Sequence, residues 1–342
     1  MGGVVIETEV WNNNQSLSIF IFISCLLSIL CLPQNSNRIS TVFDQSLPYS
    51  FLRFQRNFLL LFSFSSVMEG MWSVFGEYEM AYFGMSKEEM VLSLVVGCAA
   101  ALVVGTALGM LSDLIGRKKI CLMFCILHLF VAVWKRLFSH PSIWLASICL
   151  SLATSIFLFG FETWMVVEHD KLGHRLDSLN EMFWLMTFFE SASLIGSQVL
   201  ANWLVGNDFE KNMFSPSTVT ALLAVVSMIS IAREWRESPP ATFKDYRLSL
   251  NTHIFSDKRI WLLGWAQSCV QFSVATFWIL WAPTIVADGR EVNLGMIYPC
   301  LLGAKMLGST TYVPNELRGG MISLSLAPGN AAILLCLILW QH

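Results

Sequence analysis

Long apolar stretches, separated by short polar connections, dominate this sequence. A helix that crosses the hydrocarbon core of a bilayer needs about 20 mostly apolar residues, and ten stretches come near that length. The predicted spans are 17–33, 58–82, 90–111, 120–137, 143–167, 182–205, 217–231, 261–287, 294–310 and 321–340. The pattern predicts an all-α membrane protein that crosses the bilayer many times.

The distribution of basic residues indicates how these spans are threaded. With the N-terminus placed outside, 15 of the 21 Lys and Arg residues fall on the cytoplasmic side and five on the opposite side. Cytoplasmic connections carry such an excess in membrane proteins, so the count supports this orientation. Acidic Glu7 and Glu9 precede the first span and no small-residue cleavage site follows it. We therefore interpret that span as a retained anchor and not as a signal peptide.

A polar stretch at 233–259, with Pro239 and Pro240 and six basic residues, divides the chain. Six spans lie between the anchor and this stretch, and three follow it. The predicted parts are an anchor helix with its cytoplasmic linker (1–50), a six-helix bundle (51–232), a cytoplasmic loop between bundles (233–259) and a shortened second bundle (260–342).

Composition supports lipid as the main solvent of the chain. Hydrophobic residues make up 55% of the sequence and charged residues only 13%, where soluble domains have about 25% charged residues. The net charge of −3 gives no indication of a nucleic-acid partner. The nine cysteines form no C-x-x-C pair and are interpreted as apolar packing residues, so no disulfide or metal site is expected. No nucleophilic arrangement or phosphate-binding loop is present, so we expect neither an enzyme nor a cofactor.

The residues at 109–119, GMLSDLIGRKK, form a charged turn between two apolar spans. Gly109 and Gly116 permit a tight turn, Arg117 and Lys118 favour the cytoplasmic side, and Asp113 needs a partner at its helix end, either Arg117 or a neighbouring helix N-terminus. This loop resembles the one between the second and third helices of the major facilitator superfamily. The resemblance implies two six-helix halves and identifies these five residues as a gate that latches the cytoplasmic side.

Three further stretches narrow the resemblance to one family. They are FLRFQ at 51–55, FETW at 161–164 followed by Glu168 and His169, and WAP at 281–283. Together with the charged turn, they are similar to the molybdate-anion transporter family, which also has an extra N-terminal anchor. The resemblance implies uptake of molybdate, a small tetrahedral dianion, by rocking of the two bundles around a midplane site. A cell-membrane location is expected, because no sorting signal is evident.

The resemblance becomes discontinuous after residue 310. Residues 303–309 resemble the eighth core span of that family, whereas 312–318 and 321–333 resemble the entry to the eleventh. We interpret this as an internal deletion near 310–312 that removes the ninth and tenth spans, with the last span also absent. Two alternatives stay open: a carrier for another anion or an organic solute, and a truncated form that does not transport and associates with itself or with a full-length relative.

Three basic residues are candidates for contact with an anion. Lys305 lies well inside an apolar span, where an ionisable residue is a functional candidate by default; the alternative is that it snorkels or pairs with a carboxylate. Lys135 and Arg136 end the third core span. They could attract anions at the outer mouth or simply snorkel at the interface.

Four residues are candidates for coupling transport to protons. Glu162 and His169 are seven residues apart on one helical face near the cytoplasm. They could relay protons, or Glu162 or Glu168 could latch onto the basic turn at 117–119. Glu69 and Glu190 lie within the first and fifth core spans, as coupling groups or as partners of Lys305. They are not expected to bind a dianion directly, because an ionised carboxylate would repel it.

Overall fold

A computed structural model of the chain describes residues 49–82, 84, 86–138, 142–171, 176–205, 215–234, 257–266 and 302–306, with residues 19, 23, 27, 268, 269, 272, 273 and 276. The chain divides into two compact units. One is Ile39–Arg290, and the other combines Met1–Arg38 with Glu291–His342. In the second unit, the described residues 302–306 are helical.

The described part of the first unit is helical throughout its regular structure. Its helices are α1 (Tyr49–Tyr82), α2 (Lys87–Ala100), a π-helical segment (Ala101–Gly105), α3 (Thr106–Ile115), α4 (Arg117–Leu137), α5 (Ile143–Lys171), α6 (Leu176–Val205) and α7 (Ser215–Glu234). All six predicted spans between 58 and 231 fall within these helices, and the described residues contain no strand. The prediction of an all-α membrane protein is confirmed.

Four helical stretches are long and apolar enough to cross a membrane, among the residues that the structure describes. They are Glu88–Ile115, Arg117–Leu137, Ile143–Lys171 and Pro216–Arg233. The predicted spans 17–33, 261–287 and 294–310 are described only in part, and 321–340 and the junction at 310–312 lie outside the described residues. The division into four parts stays a prediction.

The predicted span 90–111 is helical but is interrupted between α2 and α3. Its five-residue π-helical segment ends at Gly105, which is buried where an added Cβ would overlap the Ser155 hydroxyl of α5. Leu102 and Val103 of the same segment point away from the protein, with exposed fractions of 73% and 71%. The segment therefore turns a glycine toward α5 and two apolar side chains toward lipid.

The core of this unit lies where α1, α4 and α5 meet. Phe62 of α1 stacks on Phe157 of α5, with ring centroids 5.1 Å apart. Phe124 of α4 meets Phe161 of α5 almost perpendicularly at 5.7 Å. Such aromatic pairs contribute about 0.5–1.5 kcal/mol each beyond their burial. The outer sides of the helices expose residues such as Ile126, as expected for a surface in contact with lipid.

Two further contacts between helices depend on glycine facing serine. Gly70 of α1 lies against Ser197 of α6, and Gly97 of α2 lies against Ser151 of α5, so close that an added Cβ would overlap the serine hydroxyl. Lipid tails are as apolar as the helix surfaces, so helices in a membrane associate largely through close packing of small residues. These glycines therefore set how closely α1 approaches α6 and α2 approaches α5.

Replacing Gly70 with Ala tests this packing. We expect Gly70→Ala to destabilise the detergent-solubilised protein by about 1–3 kcal/mol, the usual cost of overpacking, and to lower its apparent melting temperature. Adding Ser197→Gly to Gly70→Ala should restore much of the lost stability, because it removes the side chain that the added Cβ overlaps.

Gly196→Ala is the matched control on α6, because nothing lies within 4 Å of the added Cβ. It should be neutral or slightly stabilising, since alanine is the better helix former by up to about 1 kcal/mol. A Gly70→Ala protein that melts no lower than the parent would contradict the close-packing interpretation.

Candidate functional site

Three polar side chains meet inside the helical core. Glu69 of α1 lies with its Oε1 3.1 Å from Nε2 of His128 on α4. The hydroxyl of Thr154 on α5 donates a hydrogen bond of 2.7 Å to Glu69 Oε2. The exposed fraction of the side chain is 11% for Glu69 and 1% for His128. We call these three residues the buried polar cluster; it joins α1, α4 and α5 through one carboxylate.

The sequence spacing on α4 directs His128 inward. The buried residues of α4 recur every three or four positions, as in one face of a helix: Ile120, Cys121, Phe124, Cys125, His128, Val131, Ala132 and Lys135. His128 and Lys135 therefore lie on the same face, two turns apart, and both point into the bundle.

A small cavity lies beside the buried polar cluster. Its volume is about 40 Å³, and its walls come from α1, α4, α5 and α7. The polar side chains among the lining residues are Trp72, His128, Lys135, Ser217 and Thr220. A single water needs about 10–15 Å³, so the cavity has room for a solute of a few atoms. Its lining combines a cation, an imidazole and two hydroxyls with apolar walls.

Lys135 and Arg136, which the sequence suggested together, occupy different places. Lys135 is only 6% exposed, and its Nζ lies 4.9 Å from the centroid of the Trp72 ring, where a cation is attracted to the aromatic face. Arg136 is exposed and donates a hydrogen bond of 2.7 Å to the hydroxyl of Thr218 on α7. Lys135 thus lines the cavity, whereas Arg136 binds α7 at the surface.

The remaining predicted site residues are not among those that line the cavity. On α5, Glu162 is exposed, whereas His169 is buried with its ring 5.9 Å from that of Phe51, which covers it at the start of α1. Glu190 is partly buried on α6, and Lys305 is partly buried in the helical residues 302–306. The anion-binding, relay and latch roles of these residues stay predictions.

The charged turn has a defined geometry. Gly116 separates α3 from α4 with a φ of 111°, a conformation that favours glycine. Arg117 Nη2 lies 2.8 Å from Asp113 Oδ1, so Arg117 is the partner that the structure gives Asp113. Lys118 Nζ donates to the carbonyl oxygen of Ala232 at 3.1 Å, near the end of α7. Gly109 is partly buried on α3, with nothing within 4 Å of an added Cβ. The gating role of this turn stays a prediction.

Sequence reasoning missed His128, Thr154 and the cavity hydroxyls. His128 could have been found, because it is the strongly polar residue within the apolar run from Ile120 to Trp134, and an ionisable residue at such a position is a functional candidate. Thr154, Ser217 and Thr220 carry no such signal, since hydroxyl side chains are ordinary in membrane helices.

Comparisons with known proteins agree with a helical membrane protein. Residues 19–318 match the model of a family described as sugar transporters with 12 transmembrane segments. A molybdate-anion transporter of Xenopus tropicalis is 26% identical over 231 residues, which cover 66% of this chain and 50% of the relative. A molybdate-anion transporter of Takifugu rubripes is 25% identical over 299 residues, covering 77% and 60%. The chain thus spans about half of the first relative's length, and no solved structure matches it.

The buried polar cluster should make a measurable contribution to stability. Glu69→Ala leaves His128 without its buried partner, at a cost of about 1–3 kcal/mol for an unsatisfied group, whereas the Thr154 hydroxyl can still donate to the Leu150 carbonyl oxygen at 3.0 Å. We expect a clear fall in the melting temperature of the solubilised protein, and a smaller one for Glu69→Gln, whose amide oxygen can still accept.

The matched control for this change is Glu168→Ala. Glu168 pairs with Lys171 at 2.7 Å, but both side chains are substantially exposed, so the loss should stay within about 1 kcal/mol. Equal melting temperatures for the two alanine variants would show that the cluster has no structural role.

Proposed function

Because the chain belongs to the major facilitator family described as twelve-span sugar transporters, and to the molybdate-anion transporters within that superfamily, we propose that it carries molybdate or a related oxyanion into the cell. The chain is a membrane protein, and the names of its family and relatives indicate a transporter and not an enzyme. The substrate, the direction of transport, alternating access and the cell-membrane location are all part of this proposal.

The observation that carries the proposal is the buried position of Lys135 on the cavity wall. A lysine inside a membrane helix costs about 2.5–3.5 kcal/mol on insertion scales, and Lys135 lines the same cavity as His128, Ser217 and Thr220. An ammonium group and a hydroxyl both offer hydrogen-bond donors, and of the two hydroxyls that of Thr220 donates to the Pro216 carbonyl oxygen at 3.0 Å. A tetrahedral oxyanion presents oxygens in every direction, so it can accept from donors on more than one wall of such a cavity.

The size and apolar walls of the cavity favour a small anion over a sugar. Sites for drug-sized ligands usually measure about 300–1,000 Å³, whereas this cavity measures about 40 Å³. A hexose would also need several neutral hydrogen-bonding groups around its ring. The lining instead concentrates positive charge at Lys135, with His128 beside it.

The positions of cavity and gate along α4 suit a carrier that opens to one side at a time. Lys135 lies 18 residues after Arg117 on this helix, a distance of about 27 Å at 1.5 Å per residue. The proposed latch of Gly109, Asp113, Gly116, Arg117 and Lys118 would close the cytoplasmic side while the cavity faces outward. Lys305 belongs to the other compact unit and is proposed separately as a contact for an anion.

Uptake by Lys135 variants tests the proposal. In cells with little molybdate uptake of their own, the chain should raise cellular molybdenum, measured by mass spectrometry at nanomolar external molybdate. Lys135→Ala should lower uptake about tenfold or more, because a charge-assisted hydrogen bond is worth about 1.5–3 kcal/mol. Lys135→Arg keeps the charge and should retain part of the activity.

Arg136→Ala is the neighbouring control and should retain most of the uptake at equal surface expression. The Xenopus tropicalis relative serves as the positive control. Molybdenum accumulation by the relative but not by this chain would overturn transport by the chain and favour a partner-associated form, which co-purification with a full-length relative would reveal. Hexose uptake with no effect of molybdate would overturn the oxyanion assignment.

A further inference from the structure

We propose that His128, held by Glu69, binds a proton together with the oxyanion, so that the proton gradient drives uptake. The inference rests on the proposed function and names the groups that would couple it to protons. His128 is suited to this because it contacts the Glu69 carboxylate and also lines the cavity. Its Nε2 lies 3.1 Å from Glu69 Oε1, and the same ring lines the cavity.

The surroundings hold this pair in one arrangement. The Phe124 ring packs edge-on against the His128 imidazole with centroids 4.7 Å apart, and Thr154 donates to the second oxygen of the Glu69 carboxylate. With Nε2 directed at the carboxylate, the other ring nitrogen, Nδ1, is the atom that would take up the additional proton. His128 then becomes an imidazolium on the wall of the cavity.

Charge balance gives the reason for coupling. A dianion that enters the cavity near the Glu69 carboxylate adds negative charge to a region of low polarity, where unbalanced charge is costly. A proton on His128 offsets one unit of that charge. Because coupling between two ligands is reciprocal, the bound anion must then raise proton affinity as much as the proton raises anion affinity. The proton enters from outside and leaves with the anion, whose covalent bonds stay unchanged.

Other titratable groups lie on the helices around the pair. On α1, which carries Glu69, they are Arg53, Arg56, Glu77 and Glu79, and on α4 they are the buried residues Lys135, Cys121 and Cys125. On α5, Cys149 precedes Leu150 of the cavity wall, and on α6, which packs against α1, the carboxylate is Glu190. The residues of α7 between 216 and 232 include no ionisable side chain. Among the residues whose side chains the structure describes, Glu190 is thus a competing carboxylate within the helices that pack on α1.

The test is proton movement by the full chain reconstituted in liposomes that contain a pH-sensitive dye. Adding molybdate outside should acidify the lumen. Uptake at subsaturating molybdate should rise severalfold when the external solution is changed from about pH 8 to about pH 6, because one bound proton allows a change of up to about tenfold per pH unit.

Two variants should remove the coupling and two should retain it. His128→Gln and Glu69→Gln should each show less than about a twofold change over the same pH range and little acidification. Glu190→Gln and Glu88→Gln, the latter at the exposed start of α2, should behave like the parent chain. Any protonation of molybdate itself is the same for all variants. A difference between variants in the pH dependence of uptake therefore arises from the protein.

The outcomes separate the two proposals. Molybdate uptake by the parent chain without acidification of the lumen would overturn the proton inference and leave the proposed function intact; this readout needs no variant to fold. Uptake by His128→Gln and Glu69→Gln with the parental pH slope would also overturn it, as would loss of the slope in Glu190→Gln. No uptake by the parent chain would overturn the proposed function itself.

Discussion

A carboxylate buried among membrane helices must form its hydrogen bonds within the protein. In the first unit, this constraint fixes which faces of α1, α4 and α5 meet. Glu69 accepts from Thr154 on one oxygen and meets His128 on the other, so α1 is joined to the consecutive helices α4 and α5 by one polar contact. Buried polar groups are costly when unsatisfied and strong when satisfied. The cluster therefore favours one relative placement of α1, α4 and α5, and the cavity beside it follows from that placement.

The close glycine contacts make that placement attainable. Gly70 follows Glu69 directly and lies against Ser197 of α6, so the packing of α1 on α6 also sets the depth and rotation at which Glu69 enters the core. Lipid supplies little driving force for bringing helices together. Small residues on one side of α1 and aromatic rings such as Phe62 on another provide the contacts that position its carboxylate.

Local signals predicted the spans and the charged turn, whereas the site depends on which helix faces meet. Runs of apolar residues and the residues at 109–119 lie within single stretches of sequence, so the six core helices and the family resemblance were predicted correctly. The pairing of Glu69 with His128 joins residues 59 positions apart and depends on tertiary packing. Lys135 and Arg136 are adjacent, yet only the helical rotation of α4 decides that one lines the cavity and the other lies outside. Nothing in the sequence marks the π-helical segment.

The antiparallel helices α4 and α7 are joined near both of their ends by hydrogen bonds. Lys118 binds the carbonyl of Ala232 at one end, and Arg136 binds the hydroxyl of Thr218 at the other. His128 lies between these ties, about 16 Å along α4 from Arg117 at 1.5 Å per residue. Because both contacts join the same two helices, a shift of α4 against α7 that breaks the contact at Lys118 would also act on the contact at Arg136. The proposed proton site at His128 and the proposed gate at 109–119 are adjacent along one helix, so a movement of α4 would reach both.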